Sequence, residues 1–172
     1  MEGTGIQRGF DYLLNISDPL DKPSIPNFEI LGRIGGGAYG EVFLARSVTG
    51  MYRAVKVVRR EDFEYERTFE REFEGIQRYE QVSQDHPGLV DVLHVGRDDE
   101  AGFYYYVMEL ADDELGGAGE IDPETYRAKT LTSELRNRSA QEVEECVNIG
   151  ISLAGALGHL HLAGLTHRDV KP

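Results

Sequence analysis

Between Phe28 and Arg60 three short runs of strand-forming residues follow one another almost without interval: "FEILGRI", "EVFLARSV" and "YRAVKVVRR". The first two alternate like half-buried strands, and the third is compact and β-branched. "SVTGM" supplies a turn at Gly50 between the last two. Parallel strands need a crossover of about a dozen residues, so connections this short impose an antiparallel meander. A helix is then expected over roughly Asp62 to Val82, because Phe69, Phe73 and Ile76 fall at i, i+4 and i+7 on one face. Gly75 costs that helix about 1 kcal/mol relative to Ala. His86-Pro87-Gly88 should end it. "LVDVLHVG" and "FYYYVMEL" read as two further strands joined by the turn "RDDEAG". Five strands and one helix make a small α+β unit.

Around this unit the chain divides into three expected parts. Residues 1–27 form a leader with Pro19, Pro23 and Pro26, able to pack Phe10, Leu13 and Leu14 on the domain. Residues 28–111 hold the sheet, and residues 112–172 begin a helical region. The glycine-containing loop "ADDELGGAGEID" opens that region, followed by a helix around residues 124–137. The last helix should start at a capping box of Ser139 with Glu142. Its apolar stripe runs through Val143, Cys146, Val147, Gly150, Leu153, Ala154, Leu157, Leu160 and His161.

At 172 residues the chain is long enough for one domain or one and a half. With 40% hydrophobic and 28% charged residues it has a globular rather than a disordered composition. The net charge of −13 leaves no basic patch to grip a phosphate backbone, which argues against nucleic acid as a ligand. The charged run from Glu61 to Glu80 reads as a solvated helix face. A single cysteine, Cys146, excludes an internal disulfide and suits a reducing compartment. No apolar run approaches membrane-spanning length, and the N-terminus has no signal-peptide pattern, so a soluble, cytoplasmic protein is expected.

"GGGAYGEV" carries Gly35-x-Gly37-x-x-Gly40-x-Val42. This spacing serves phosphate-binding loops, dinucleotide folds and plain hairpins alike. In a dinucleotide fold the third glycine leads into a helix, whereas here it leads into the strand "EVFLAR". The loop is therefore a hairpin turn whose backbone amides can face phosphate oxygens, with glycine keeping Cβ atoms away. Sixteen residues after Gly40 stands Lys56, in the apolar strand "AVKVV". A buried lysine needs a counter-charge; an edge-strand lysine reaching solvent is the alternative. Glu70, Glu72 and Glu74 are the candidates. Glu72 lies i+3 from Phe69 and i−4 from Ile76, inside the apolar stripe, while the other two are turned about 100° away. Glu72 is thus the expected partner.

"GGGAYGEV", "AVK", a carboxylate in the next helix, "YYVMEL" and "HRDVKP" resemble, in order and spacing, the eukaryotic-type serine/threonine protein kinases, and bacterial members above all. The resemblance runs from about Phe28 to Pro172. It implies a kinase N-lobe of five antiparallel strands and one helix, joined to the first helices of the C-lobe. It implies ATP as phosphoryl donor, Mg²⁺ as its companion and a protein hydroxyl as acceptor. ATP would contact Ile34, Gly35, Gly36, Gly37, Ala38, Tyr39, Gly40, Val42 and Ala54. Lys56 would hold the α- and β-phosphates with Glu72 behind it, and Met108 would back the adenine slot. The backbone of Glu109 and Ala111 would meet the adenine edge, with a ribose contact from Asp112 or Asp113. Asp169 would take the proton of the attacking hydroxyl, and Lys171 would balance charge on the moving phosphoryl group. His167 resembles a packing residue, and Arg168 the arginine that binds a phosphorylated activation loop in many relatives. The family's next asparagine and its Asp-Phe-Gly sequence, which supply magnesium ligands, are not in the sequence. The chain therefore reads as truncated inside the catalytic loop, with magnesium ligands expected beyond Pro172. This piece alone is expected to bind ATP weakly and transfer phosphate negligibly, and to expose apolar area on its last helix for a partner or the missing lobe. A non-catalytic half-kinase that binds nucleotide or a partner protein is the alternative.

Overall fold

The computed structural model describes residues 22–37, 39–117, 119, 121–137, 142–168 and 170. Phe10, Leu13, Leu14, Ala38, Ser139, Asp169 and Lys171 lie outside the described residues.

Five strands form one antiparallel sheet: β1 (Phe28–Gly36), β2 (Glu41–Ser47), β3 (Tyr52–Arg59), β4 (Val92–Asp98) and β5 (Phe103–Met108). Their spatial order is β1-β2-β3-β5-β4, so the expected meander of the first three strands is present. Two β-branched or aromatic strands, β3 and β5, occupy the centre, where burial on both faces rewards such residues.

Alternation along β3 and β5 divides the apolar side chains between two cores. Val55, Val57, Phe103, Tyr105 and Val107 form one with Phe43 and Ala45 of β2. Ile25, 4% exposed, joins this core from ahead of β1, so part of the expected leader belongs to the domain. Val58 and Tyr104 face the opposite way and pack under Phe69, Phe73 and Ile76 of helix α1 (Glu66–Ser83).

The helix begins four residues later than expected. Arg60–Asp62 form a 3-10 turn and Tyr65 is extended at the N-cap, which delays the α-helical start. At its far end Ser83 is fully buried. Its hydroxyl accepts the Val92 N–H at 3.0 Å and donates to Glu80 O at 3.1 Å, pinning α1 to β4. The helix thus stops before His86-Pro87-Gly88.

Two more helices follow, α2 (Leu131–Asn137) and α3 (Val143–Leu162). The helix expected over 124–137 is shorter, because residues 122–126 close a turn on Asp122. The start at Leu131 is set by reciprocal bonds: Thr130 N–H to Ser133 Oγ and Ser133 N–H to Thr130 Oγ1, both 3.0 Å. In α3 Glu142 occupies the N-cap with extended dihedrals, not the third helical position that a capping box requires. The expected stripe on α3 is largely exposed: Val143, Val147 and Leu153 face solvent, while Ala156 and Leu160 are the buried positions.

Candidate active site

The hairpin of β1 and β2 closes with Gly35 opposite Val42 and Gly36 opposite Glu41. Gly37 N–H donates to Gly40 O at 3.2 Å. Gly40 has φ +92°, and a Cβ there would stand 2.3 Å from Val57 O. The sheet itself therefore demands this glycine. A Cβ on Gly37 would meet nothing within 4 Å among the described residues, and one on Gly35 would meet only Val42 Cβ at 3.8 Å. Neither has the left-handed φ, so packing gives no reason for glycine at these two. Ile34 sits at a register shift and lines a cleft of about 510 Å³ with Lys22, Arg33, Gly35 and Gly36. Tyr39, at the tip, stacks on Phe63 with centroids 5.0 Å apart and planes 15° from parallel. Phe63 in turn meets Phe69 edge-on at 5.6 Å, so the tip is tied to the helix cluster.

Strand register lines up the next residues. Lys56 lies between Val42 of β2 and Tyr106 of β5, and Ala54 lies between Leu44 and Met108. Directly paired residues share a face, so these two rows stand on the face that α1 covers. Lys56 Nζ is 5.8 Å from the Tyr106 ring centroid. The Tyr106 hydroxyl is pushed up to about 12, first by burial, then by the charges of Tyr79 and Glu72. Glu72 stays half-exposed, with Oε1 3.7 Å from Arg71 Nη2. Lys56 thus stands on the sheet face that α1, the helix carrying Glu72, covers.

Glu70 is committed elsewhere. Arg97 of β4 grips it with two bonds of 2.7 Å, while its Nε reaches Asp99 at 2.6 Å. The same guanidinium lies 5.1 Å from the Phe73 ring centroid. The Arg97 bonds hold the Glu70 carboxyl below its ordinary range.

After β5 the backbone alternates between satisfied and open groups. Glu109 N–H donates to Asp91 O at 3.1 Å, and the Glu109 carboxylate accepts Asp91 N–H at 3.1 Å. Ala111 C=O accepts the Tyr126 hydroxyl at 3.0 Å. Among the described residues, no hydrogen bond uses Glu109 C=O or Ala111 N–H. An acceptor and, two residues on, a donor are thus left open. Of the two aspartates considered for a ribose contact, Asp113 is consumed by its own loop: its carboxylate accepts Gly116 N–H at 2.8 Å and Arg127 N–H at 3.0 Å. Those backbone bonds hold its carboxyl low. Asp112 keeps an exposed side chain.

At the end of α3, Gly164 N–H bonds His161 O and Leu165 N–H bonds Leu160 O, with Gly164 at φ +73°. This is a Schellman termination, and it leads the chain directly to exposed His167 and Arg168. Sequence reasoning did not single out Phe63, Ser83, Arg97 or Tyr126. Only Arg97, the first residue of the acidic turn "RDDEAG", carried a usable signal.

A sheet with a glycine hairpin at one edge, a lysine row beneath the single crossing helix and an open donor–acceptor pair after the last strand defines a protein-kinase-type N-lobe. A family model described as protein kinase domain matches residues 28–172, and the chain belongs to that family. It is 29% identical over 149 residues to the serine/threonine-protein kinase PrkC of Bacillus subtilis, covering 84% of this chain and 20% of that protein. It is 31% identical over 149 residues to the probable serine/threonine-protein kinase CPE1738 of Clostridium perfringens, covering 84% of this chain and 18% of that protein. Among solved structures, the PknI kinase domain of Mycobacterium tuberculosis matches with a TM-score of 0.61 at 27% identity, over 87% of this chain and 54% of that one. The chain thus spans about a fifth of the length of these curated relatives.

Proposed function

We propose that the protein is a serine/threonine protein kinase and that this chain contributes its ATP-binding lobe and the start of its catalytic loop. The observation that carries the reading is the row of Val42, Lys56 and Tyr106 on the sheet face beneath α1, with Lys56 Nζ 5.8 Å from the Tyr106 ring centroid. In this reading Lys56 neutralises the α- and β-phosphates and Glu72 orients its ammonium. Gly35, Gly37 and the amides between them and Gly40 approach the phosphates, which accounts for glycines that packing does not require. Ala54 and Val42 border the adenine, with Met108 behind it. Glu109 C=O accepts from the adenine amino group and Ala111 N–H donates to the neighbouring ring nitrogen. Asp169 accepts the proton of the protein hydroxyl as its oxygen bonds to the γ-phosphorus and the bond to the β-phosphate oxygen breaks. Lys171 offsets charge on the phosphoryl oxygens at that moment.

Magnesium accompanies ATP throughout such chemistry. Among the described residues no group of three or more His, Cys, Asp or Glu side chains is arranged to hold a metal ion, so no step is assigned through it. Among the described residues no helix is long and apolar enough to cross a membrane. The free, exposed thiol of Cys146 fits the reducing cytoplasm.

A second reading, a non-catalytic module that engages a partner through α3, rests on the exposed Val143, Val147 and Ile151. The joint presence of Lys56, Glu72 and Asp169 favours the enzyme, since a scaffold has no use for all three. The test is transfer of labelled phosphate from ATP with Mg²⁺ to a serine-rich acceptor protein by a protein in which this chain is continued through the rest of a kinase domain. Lys56→Met should lower incorporation by about 100-fold or more while leaving the thermal transition in place. Undiminished transfer in that variant would overturn the assignment.

A further inference from the structure

Aromatic packing sets how far α1 stands from the sheet, and hydrogen bonds set how it is turned. Phe69, Phe73 and Ile76 rest on Val58, Tyr104 and Tyr106. Apolar contact is non-directional, so by itself it lets a helix roll or slide by small amounts. Among the described residues, the hydrogen bonds between α1 side chains and the sheet run to β4 and the residues just ahead of it. Near the C-terminal end the Ser83 hydroxyl accepts Val92 N–H at 3.0 Å, and one turn earlier the Tyr79 hydroxyl donates to Val90 O at 2.9 Å. In the leading half the bonds come from Arg97, which donates two of 2.7 Å to the Glu70 carboxylate. Glu70 and Ser83 are 13 positions apart, roughly 20 Å of helix. Glu72 lies between them.

Arg97 is itself held from two sides. Its Nε bonds Asp99 at 2.6 Å, and its guanidinium lies 5.1 Å from the Phe73 ring centroid and 5.6 Å from that of Phe69. A planar fork fixed in this way dictates the direction of the carboxylate it binds. Glu72 is two residues from Glu70 on the same rigid helix, so a roll that breaks the fork also swings Glu72. Lys56, however, belongs to β3, which reaches β4 only through β5. The helix is fastened to one strand and the lysine is carried by another.

We propose that Arg97 is a positioning residue for phosphoryl transfer: its fork on Glu70 fixes the roll of α1 and so aligns Glu72 with the lysine row of β3. The proposal rests on the kinase reading above, in which Glu72 orients Lys56. Arg97 acts through the helix and not on the nucleotide. A clamp biases a helix between settings by no more than its own worth. The Arg97 and Glu70 side chains are 21% and 39% exposed, and for a pair screened to that degree the ceiling is a factor of about five.

The test uses a protein in which this chain is continued through the rest of a kinase domain, assayed well below the thermal midpoint of every variant. In Arg97→Met, which keeps an apolar stem over Phe69 and Phe73, kcat should fall by about two- to fivefold, with KM for the acceptor protein unchanged. Glu70→Ala should act likewise, and the double variant should lose no more than either single one. Arg97→Lys, a point charge without a fork, should recover only part of the loss. Ile25→Val lightens the opposite core at a comparable cost in stability and should leave kcat unchanged. Full kcat in Arg97→Met, losses that multiply in the double variant, or an equal loss in Ile25→Val each overturns the proposal. A parent protein that transfers no phosphate removes the kinase reading and the proposal together. A parent that transfers phosphate and is silenced by Lys56→Met, with Arg97→Met at full rate, removes the proposal alone.

Discussion

At Gly40 two independent constraints meet in one residue. The backbone is left-handed, and β3 passes so close that a side chain would collide with the Val57 carbonyl. Gly40→Ala should therefore cost about 2 kcal/mol or more in urea unfolding, since an Ala at positive φ is strained before any clash is added. Gly37→Ala meets nothing among the described residues and should stay within about 0.5 kcal/mol of the parent, while weakening ATP binding. Comparable stability losses at both positions would sink this division between a structural and a ligand-facing glycine. The spacing of the three glycines was visible in the sequence, but this difference was not. It depends on how near Val57, seventeen residues further along, approaches, and no local pattern encodes that.

The setting of α1 is decided by its two ends and one lateral clamp. Ser83 fastens the C-terminal end, the Phe63–Phe69 contact the leading end, and Arg97 the flank through Glu70. Helical spacing placed Glu72 within the apolar stripe, and in the structure its side chain is half-exposed with Oε1 3.7 Å from Arg71 Nη2. The commitment of Glu70 to Arg97 was out of reach of that reasoning, because the two residues are 27 positions apart and meet only after β4 has paired with β5. Arg97→Met should lower stability by about 1 kcal/mol and no more, as the Glu70 side chain is 39% exposed and water screens the pair. The Glu70 carboxyl is held below its ordinary 4.5, so its contribution is present above that pH and is lost as pH falls through the lowered folded value. Urea midpoints of parent and variant should consequently converge as the pH is taken below that lowered value. A gap that persists in acid would assign the effect to packing on Phe69 and Phe73 instead.

At the scale of the molecule, the sheet and α1 were legible because each element advertises its own period. The described part of α3 was legible as a helix that exposes apolar area: Val143, Val147 and Leu153 of the expected stripe face solvent, while Leu160 of the same stripe and Ala156 are buried. Ile151 is 65% exposed. Ile151→Glu should leave the thermal midpoint within about 2 °C, as surface substitutions change stability little, and should reduce binding of a hydrophobic dye. A clear drop in the midpoint would mean that this face is packed in solution. The two cores have a further consequence. Because β3 sends Ala54, Lys56 and Val58 one way and Val55 and Val57 the other, residues that touch along the chain answer to unrelated demands. Selection can retune one side of that ribbon while its reverse is held constant, and the packing beneath α1 and the packing of the opposite core are inherited separately within five consecutive codons.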